Sequence, residues 1–368
     1  MVDKNLKAIL VDVVPHGTDL KEAKLGLNEL SNLVNTLGGI TIEKVIQKRG
    51  RPSAKTYLGT GKAQEVGQLA SQLDADVVIF NNILKPSQVM YLNVILKAKV
   101  WDRVDLILKI FEKHAKTREA KLQIDLAKLH HEFPKLYGQG VNLSQQSAGK
   151  AGVTGVRGPG EKKLEQKKRH LRREINKLEE QLTKIKKQRK SQRDVRRRKN
   201  LKTVALVGYT NSGKSTLLRA LTGKKNIYIA NQLFATLDTK IGSIYISGIG
   251  DVLLADTIGF LQDLPPFLIK SFLATLEEVK EADLILHVID IADPDVVAKI
   301  QAVELILEDL DCENKPRINV LNKIDRIGEI KKKPPKGSIM ISAEKRKGLE
   351  ELKMEIKKEL RTSRKSFN

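Results

Sequence analysis

Leu201-Lys-Thr-Val-Ala-Leu-Val-Gly-Tyr-Thr-Asn-Ser-Gly-Lys-Ser-Thr-Leu-Leu218 decides how the chain folds. Its opening, with Val204, Leu206 and Val207, is apolar enough for a buried parallel strand, and Gly208 begins a G-x-x-x-x-G-K-S run that ends at Ser215. Glycine at 208 and 213 lets the backbone take positive φ and turn its N–H groups onto a phosphate, and the following helix N-terminus adds partial positive charge. Lys214 is placed to reach the β- and γ-phosphates and Ser215 to ligate Mg²⁺, while Tyr209, Thr210, Asn211, Ser212 and Thr216 complete the cradle. A plain strand-to-helix turn is the competing reading, and the downstream chain decides between the two.

A parallel-sheet nucleotide enzyme needs a metal-side acid after a later strand. Gly250-Asp-Val-Leu-Leu-Ala-Asp256-Thr257-Ile258-Gly259 supplies an apolar strand ending in Asp256, which can hold Mg²⁺ through water, and a Gly259 N–H that can meet a γ-phosphate. Asn322-Lys323-Ile324-Asp325 follows another strand and sets a carboxylate to accept from the N1–H and 2-amino group of guanine, donors that adenine lacks. Ser338-Ile-Met-Ile-Ser342-Ala343-Glu344 then gives a short strand and a backbone N–H for the guanine O6. Four such elements in this order, each at the carboxyl end of a strand, resemble the GTPase superfamily.

Composition bounds the rest. The chain has 368 residues, enough for two or three domains with cores of their own. One cysteine, Cys312, excludes an intramolecular disulfide and fits a reducing compartment. No apolar run approaches the roughly 18 residues of a membrane span, and Met1-Val-Asp-Lys-Asn5 has no signal-peptide pattern. A cytoplasmic location without stable membrane insertion is the expectation. The formal charge is +23, and residues 161–200 carry 18 Lys or Arg against 6 Asp or Glu, so half the excess lies in one segment.

The N-terminal region alternates strands and helices. Lys7 to Val14 is strand-like, Asp19 to Leu37 carries leucines at helical spacing closed by Gly38-Gly39, Ile40 to Gln47 is a second strand and Asp76 to Phe80 a third. Gly59-x-Gly61-Lys62 invites a second phosphate-site reading, but it lacks the four-residue spacer and the Ser or Thr, so a tight strand-to-helix turn is the better reading. Residues 103–137 and 160–199 read as two long helices, each with one apolar seam, that bury those seams as an antiparallel hairpin with a glycine-rich tip at 138–160. On the second helix Lys162, Lys163, Arg193, Arg196, Arg197, Arg198 and Lys199 belong to a one-sided run of positive charge. A solvated face is the bland alternative, but like charges at i,i+4 destabilise a helix unless something neutralises them, and RNA phosphate is the natural partner.

At Trp101-Asp-Arg-Val-Asp105, Arg157-Gly-Pro-Gly-Glu161 and Phe234-Ala235-Thr236-Leu237-Asp238 the sequence resembles the HflX family of ribosome-associated GTPases over nearly its whole length. The resemblance implies an α/β fold class. It divides into an N-terminal α/β domain (1–100), a long antiparallel helical hairpin (101–199), a P-loop GTPase domain with a mostly parallel sheet (200–361) and a basic tail (362–368). It also implies binding to the large ribosomal subunit through rRNA, with Arg157 at the tip among the contacts, and dissociation of idle or stalled ribosomes. A GTP-gated RNA-binding protein with no ribosome involved is the alternative. Thr236 and Thr239 both stand before Asp256, and the family motif assigns Thr236 as the switch residue that joins Mg²⁺ and senses the γ-phosphate. The tip departs from the family in having fewer consecutive glycines. Phe260 stands where Ras-type enzymes place the glutamine that orients water, so a slow intrinsic rate is expected. Binding of GTP and GDP by a monomer in solution is a separate expectation.

Overall fold

The computed structural model describes residues 6–147, 159–223, 240–261, 267–268, 273–327 and 337–362. These fall into two compact units, one from residues 1–113 and 122–181, the other from 114–121 and 182–368.

In the first unit β1 (Lys7–Val14), β2 (Ile40–Lys48), β3 (Val77–Phe80) and β4 (Lys99–Asp102) form a wholly parallel sheet in the order β2-β1-β3-β4. Parallel neighbours need crossover helices, and α1 (Leu20–Leu37), α2 (Thr60–Gln72) and α3 (Pro86–Leu96) supply them. The signals of α1 are local: the Asp19 carboxylate accepts from the Lys21 N–H at 3.0 Å, and Gly38 at φ 97° ends the helix. Gly59 caps α2, and its N–H donates to Gln47 Oε1 at 2.9 Å; Gly59-x-Gly61-Lys62 is the N-terminus of that helix, reached through a loop after β2 rather than by a tight turn straight from a strand.

The boundary expected at residue 100 lies too early. β4 completes the sheet, and α4 (Arg103–His114) buries Val104, Leu106, Ile107, Ile110 and Phe111 in the first unit. Asp102 and Asp105 explain the motif at this corner. The Asp102 carboxylate accepts from the Asp105 N–H at 2.9 Å and the Asp105 carboxylate accepts from the Asp102 N–H at 3.2 Å, a reciprocal cap on α4. Arg103 is buried between them and pairs with Glu29 at 2.8 Å while donating to Asn81 Oδ1.

The first helix of the hairpin differs from the expected 103–137. It breaks after α4, because Thr117 caps a new helix by accepting from the Ala120 N–H at 3.2 Å, and α5 (Arg118–Ser147) then continues ten residues into the expected tip. Gly138 and Gly140 cost roughly 1 kcal/mol each against alanine, too little to end a helix that has a partner. That partner is α6 (Pro159–Arg198). Pairs run antiparallel: His130 lies 3.9 Å from Glu179, and Arg172 stacks 5.6 Å from the Phe133 ring.

In the second unit six strands order as β10-β9-β8-β5-β7-β6. These are β5 (Lys202–Val207), β6 (Lys240–Ile246), β7 (Gly250–Asp256), β8 (Leu284–Asp290), β9 (Arg317–Asn322) and β10 (Ser338–Met340). All pair in parallel except β6, which runs antiparallel to β7. Helices α7 (Lys214–Thr222), α8 (Leu273–Lys280), α9 (Val296–Asp309) and α10 (Leu349–Thr362) accompany the sheet. Val204, Leu206, Leu254, Leu286 and Val320 are fully buried at its centre, as strands covered on both faces must be. β5 sits between β8 and β7, where strand order reverses, so the loop that follows it opens at the position where doubly wound sheets bind ligands. Among the described residues no helix is long and apolar enough to cross a membrane.

Candidate GTP-binding site

The turn after β5 has no room for side chains at its two glycines. A Cβ on Gly208 would lie 2.2 Å from the Val288 carbonyl oxygen, and one on Gly213, at φ 96°, would lie 2.2 Å from Asn322 Nδ2. The backbone therefore folds into a tight cradle at the N-terminus of α7. Lys214 begins that helix and turns its ammonium inward, donating to the Gly208 and Tyr209 carbonyls at 2.9 and 2.8 Å. Burial lowers its pKa to about 8, with the Asp256 charge acting the other way. Thr210 Oγ1 and Ser212 Oγ are buried without hydrogen-bond partners among the described residues, and such orphaned hydroxyls suit a polar ligand in the loop.

Asp256, at the end of β7, is fully buried and accepts from the Ser215 hydroxyl at 2.6 Å. Two hard oxygen ligands, one from the start of α7 and one from the end of β7, thus meet beside a buried ammonium, a donor set that fits Mg²⁺. Thr257 donates to the Leu206 carbonyl at 2.7 Å, tying β7 back to β5, and Ile258 is buried. Gly259 packs against the loop so closely that a Cβ would lie 2.9 Å from Thr210 Cα and 3.2 Å from Lys214 Nζ.

Phe260 is buried, as its ring requires, and its backbone does something that the sequence did not suggest. Its N–H donates to the Gly208 carbonyl at 3.1 Å and its carbonyl accepts from the Thr210 N–H at 2.8 Å, so it lies as a short parallel strand along the phosphate loop. No sequence pattern announces such a bridge, because it uses only main-chain atoms.

Asn322 binds the site together from β9. Its Nδ2 donates to the Ser212 carbonyl at 2.9 Å and its Oδ1 accepts from the Ala343 N–H at 3.0 Å. Lys323 donates to the Asn211 carbonyl at 2.8 Å and pairs with Asp290, the last residue of β8, at 2.6 Å. Asp325 stands exposed, its carboxyl held below the usual carboxylate range chiefly by a hydrogen bond from the buried Ser342 hydroxyl. Glu344 is exposed and lies 3.8 Å from Arg326, and Thr216 sits in the first turn of α7. His287, on β8 behind the loop, is pushed down to about 3 by burial and stays neutral.

Phe234, Ala235, Thr236, Leu237, Asp238 and Arg157 lie outside the described residues. Lys162, Lys163 and Arg197 fall on α6, and Arg198 and Lys199 are exposed at its end. Arg193 and Arg196 stand differently from the expected open phosphate contacts. Arg193 pairs with Glu277 at 3.1 Å and Glu278 at 3.6 Å, and Arg196 pairs with Glu278 at 3.3 Å. Sequence reasoning missed these glutamates, although two adjacent acids after the Asp256 turn were a readable signal.

Three family models cover the chain in succession. "GTP-binding GTPase N-terminal" matches residues 24–112, "GTP-binding GTPase Middle Region" 114–196 and "50S ribosome-binding GTPase" 203–323. The "GTPase HflX" of Caldanaerobacter subterraneus subsp. tengcongensis is 43% identical over 96% of this chain and 80% of its own length. That of Escherichia coli is 39% identical over 88% and 74%. The crystal structure of SsGBP with GDP is similar along 96% of this chain and 98% of that one, at 27% identity and a TM-score of 0.52. With the glycine loop after β5, the Ser215–Asp256 pair at the end of β7 and Asn322 at the end of β9 gathered at one end of the sheet, and relatives this similar along most of their length, the chain belongs to the HflX family of GTPases, GTP-hydrolysing and ribosome-associated proteins.

Proposed function

We propose that this GTPase binds the large ribosomal subunit through the basic face of α6 and, in its GTP form, separates idle or stalled ribosomes into subunits. The observation that carries the reading is the exposed cationic face of that helix. Lys167, Arg169, Arg173, Lys177, Lys184, Lys187, Lys190 and Arg198 all lie open to solvent along it. Such a face attracts a phosphate backbone without reading sequence, as rRNA binding demands. The "50S ribosome-binding GTPase" description of the matched domain supports the same partner.

At the nucleotide, Gly208 to Thr216 cradle the phosphates, and Asn322, Lys323 and Asp325 with Ser342 and Ala343 select guanine. Ser215 and Asp256 would hold Mg²⁺, with Thr236 as the switch ligand. The ion supplies charge neutralisation at the β- and γ-phosphates. Lys214 adds its buried positive charge, and the Gly259 N–H meets the γ-phosphate. No side chain in the position of Phe260 orients the attacking water, so the free protein hydrolyses GTP slowly.

Sedimentation of assembled ribosomes and of purified large subunits with the protein tests the reading. With a non-hydrolysable GTP analogue the protein co-sediments with large subunits and the assembled particles fall; with GDP both effects weaken. Equal binding to large subunits and to the same mass of free structured RNA favours the RNA-binding alternative.

A further inference from the structure

Lys186, Arg189, Arg193 and Arg196 are spaced three, four and three apart, which places them in one stripe of α6. Lys186 stays exposed, but Arg189, Arg193 and Arg196 are largely drawn away from solvent. Lys186 and Arg193 both pair with Glu277, Arg193 and Arg196 with Glu278, and Arg189 with Glu119 at 2.8 Å. The Arg193 side chain is 11% exposed and that of Glu278 only 5%. Ion pairs this buried repay their desolvation only with good geometry and further hydrogen bonds, and Arg193 Nη1 is left without a hydrogen bond among the described residues; arginine forks grip carboxylate and phosphate with the same geometry. A cleft of about 320 Å³ opens beside the pair, lined by Arg193, Arg196, Lys202 and Glu278 among others.

Glu277 and Glu278 sit on α8, the helix that follows Gly259, Phe260 and the segment to Pro266. Gly259 stands beside the Lys214 ammonium, where a γ-phosphate must be accommodated. A γ-phosphate that displaces Gly259 acts on the same stretch of chain that carries α8 further on. We infer that Glu277 and Glu278 are internal stand-ins for RNA phosphate. They mask Arg193 and Arg196 in the GDP form, and the GTP form withdraws them, so that two arginines join the RNA-binding face in one nucleotide state only. The inference rests on the proposed RNA contact of α6 and names its regulation.

The test measures binding of the full chain to purified large ribosomal subunits across a salt titration, with GDP and with a non-hydrolysable GTP analogue. Glu277→Gln with Glu278→Gln raises affinity in the GDP state at least about fivefold, steepens its salt slope by up to about 2, and removes the difference between the nucleotides. Arg193→Gln with Arg196→Gln lowers affinity only with the GTP analogue. Lys184→Gln, Lys187→Gln and Lys190→Gln together, on the open face, lower it in both states. If the open-face triple weakens binding while the glutamate pair changes nothing in GDP, the masking is refuted and the RNA contact stands. If the triple changes nothing, the RNA contact falls and the masking with it. Should the double glutamate variant lose GDP binding through misfolding, Glu277→Gln alone, with a more exposed side chain, is read in the same way for about half the slope change.

Discussion

Lys214 holds a positive charge inside the protein, and burial has brought its pKa down to about 8. Below that value it is an ammonium ready for phosphate; above it the nucleotide-free protein loses the charge. A bound triphosphate favours the ammonium and raises the pKa again, so GTP binding above about pH 8 takes up a proton. GTP affinity measured by titration at several pH values should be flat to about 8 and then fall, approaching tenfold per pH unit. The stability of the nucleotide-free protein follows the opposite course. Its folded pKa lies below the unfolded value of 10.5, so the unfolded chain binds more protons between about 8 and 10.5 and stability rises across that window. Affinity that stays constant from pH 7 to 9.5 would show that Lys214 does not carry the phosphate charge. At the base end, Asp325→Asn exchanges a carboxylate for an amide that cannot accept both guanine donors, and GTP binding should weaken by about 2 kcal/mol or more. ATP bound as tightly as GTP by the unchanged protein would remove the guanine assignment altogether.

At the level of elements, the sequence was most readable where a signal is local and chemical. Asp19 and Gly38 mark both ends of α1, and the strand before Gly208 is continuous apolar sequence, so these elements fall where they were expected. The long helices were read from seam spacing, and spacing alone cannot show where a seam changes partner. α4 buries its seam within the first unit, and α5 starts afresh at the Thr117 cap. The bridge between Phe260 and the phosphate loop was illegible for another reason: two main-chain hydrogen bonds leave no mark in residue types. Burial also changes how position 260 has to be tested. Phe260→Ala would open a cavity worth about 3–5 kcal/mol and confuse folding with catalysis. Phe260→Leu keeps most of the volume and should cost under about 1.5 kcal/mol while leaving GDP affinity within about twofold. Phe260→Gln should lose about 1–3 kcal/mol by burying an amide and gain no hydrolysis rate, because its side chain would replace a ring enclosed in protein. Thermal denaturation beside single-turnover hydrolysis separates the two substitutions, and a faster Phe260→Gln enzyme would contradict the buried placement.

For the whole molecule the open question is how a slow enzyme becomes timely. On the proposed reading the site holds what binds and polarises phosphate: Lys214, the Ser215 and Asp256 oxygens and the Gly259 backbone, gathered at the carboxyl ends of β5 and β7. At position 260 no side chain is available to fix an attacking water, since Phe260 is turned into the protein. A partner that orders the switch containing Thr236 and the segment from Phe260 to Pro266 can supply that placement, because fixing backbone groups and excluding solvent lowers the barrier without a new general base. If the large ribosomal subunit is that partner, its phosphates on α6 and its contact with the switches act together, and the hydrolysis rate should rise at least about tenfold. The gain should fall on turnover rather than on GTP affinity, because the groups that bind the ground state are in place before the subunit arrives. Lys214→Ala then damages both quantities, whereas Phe260→Leu changes the stimulated rate more than the affinity. Steady-state hydrolysis at saturating purified large subunits, with binding verified in the same sample by sedimentation, decides the matter. A rate equal to that of the free protein while the complex is present would mean that the ribosome is where this GTPase acts but not what completes its active site.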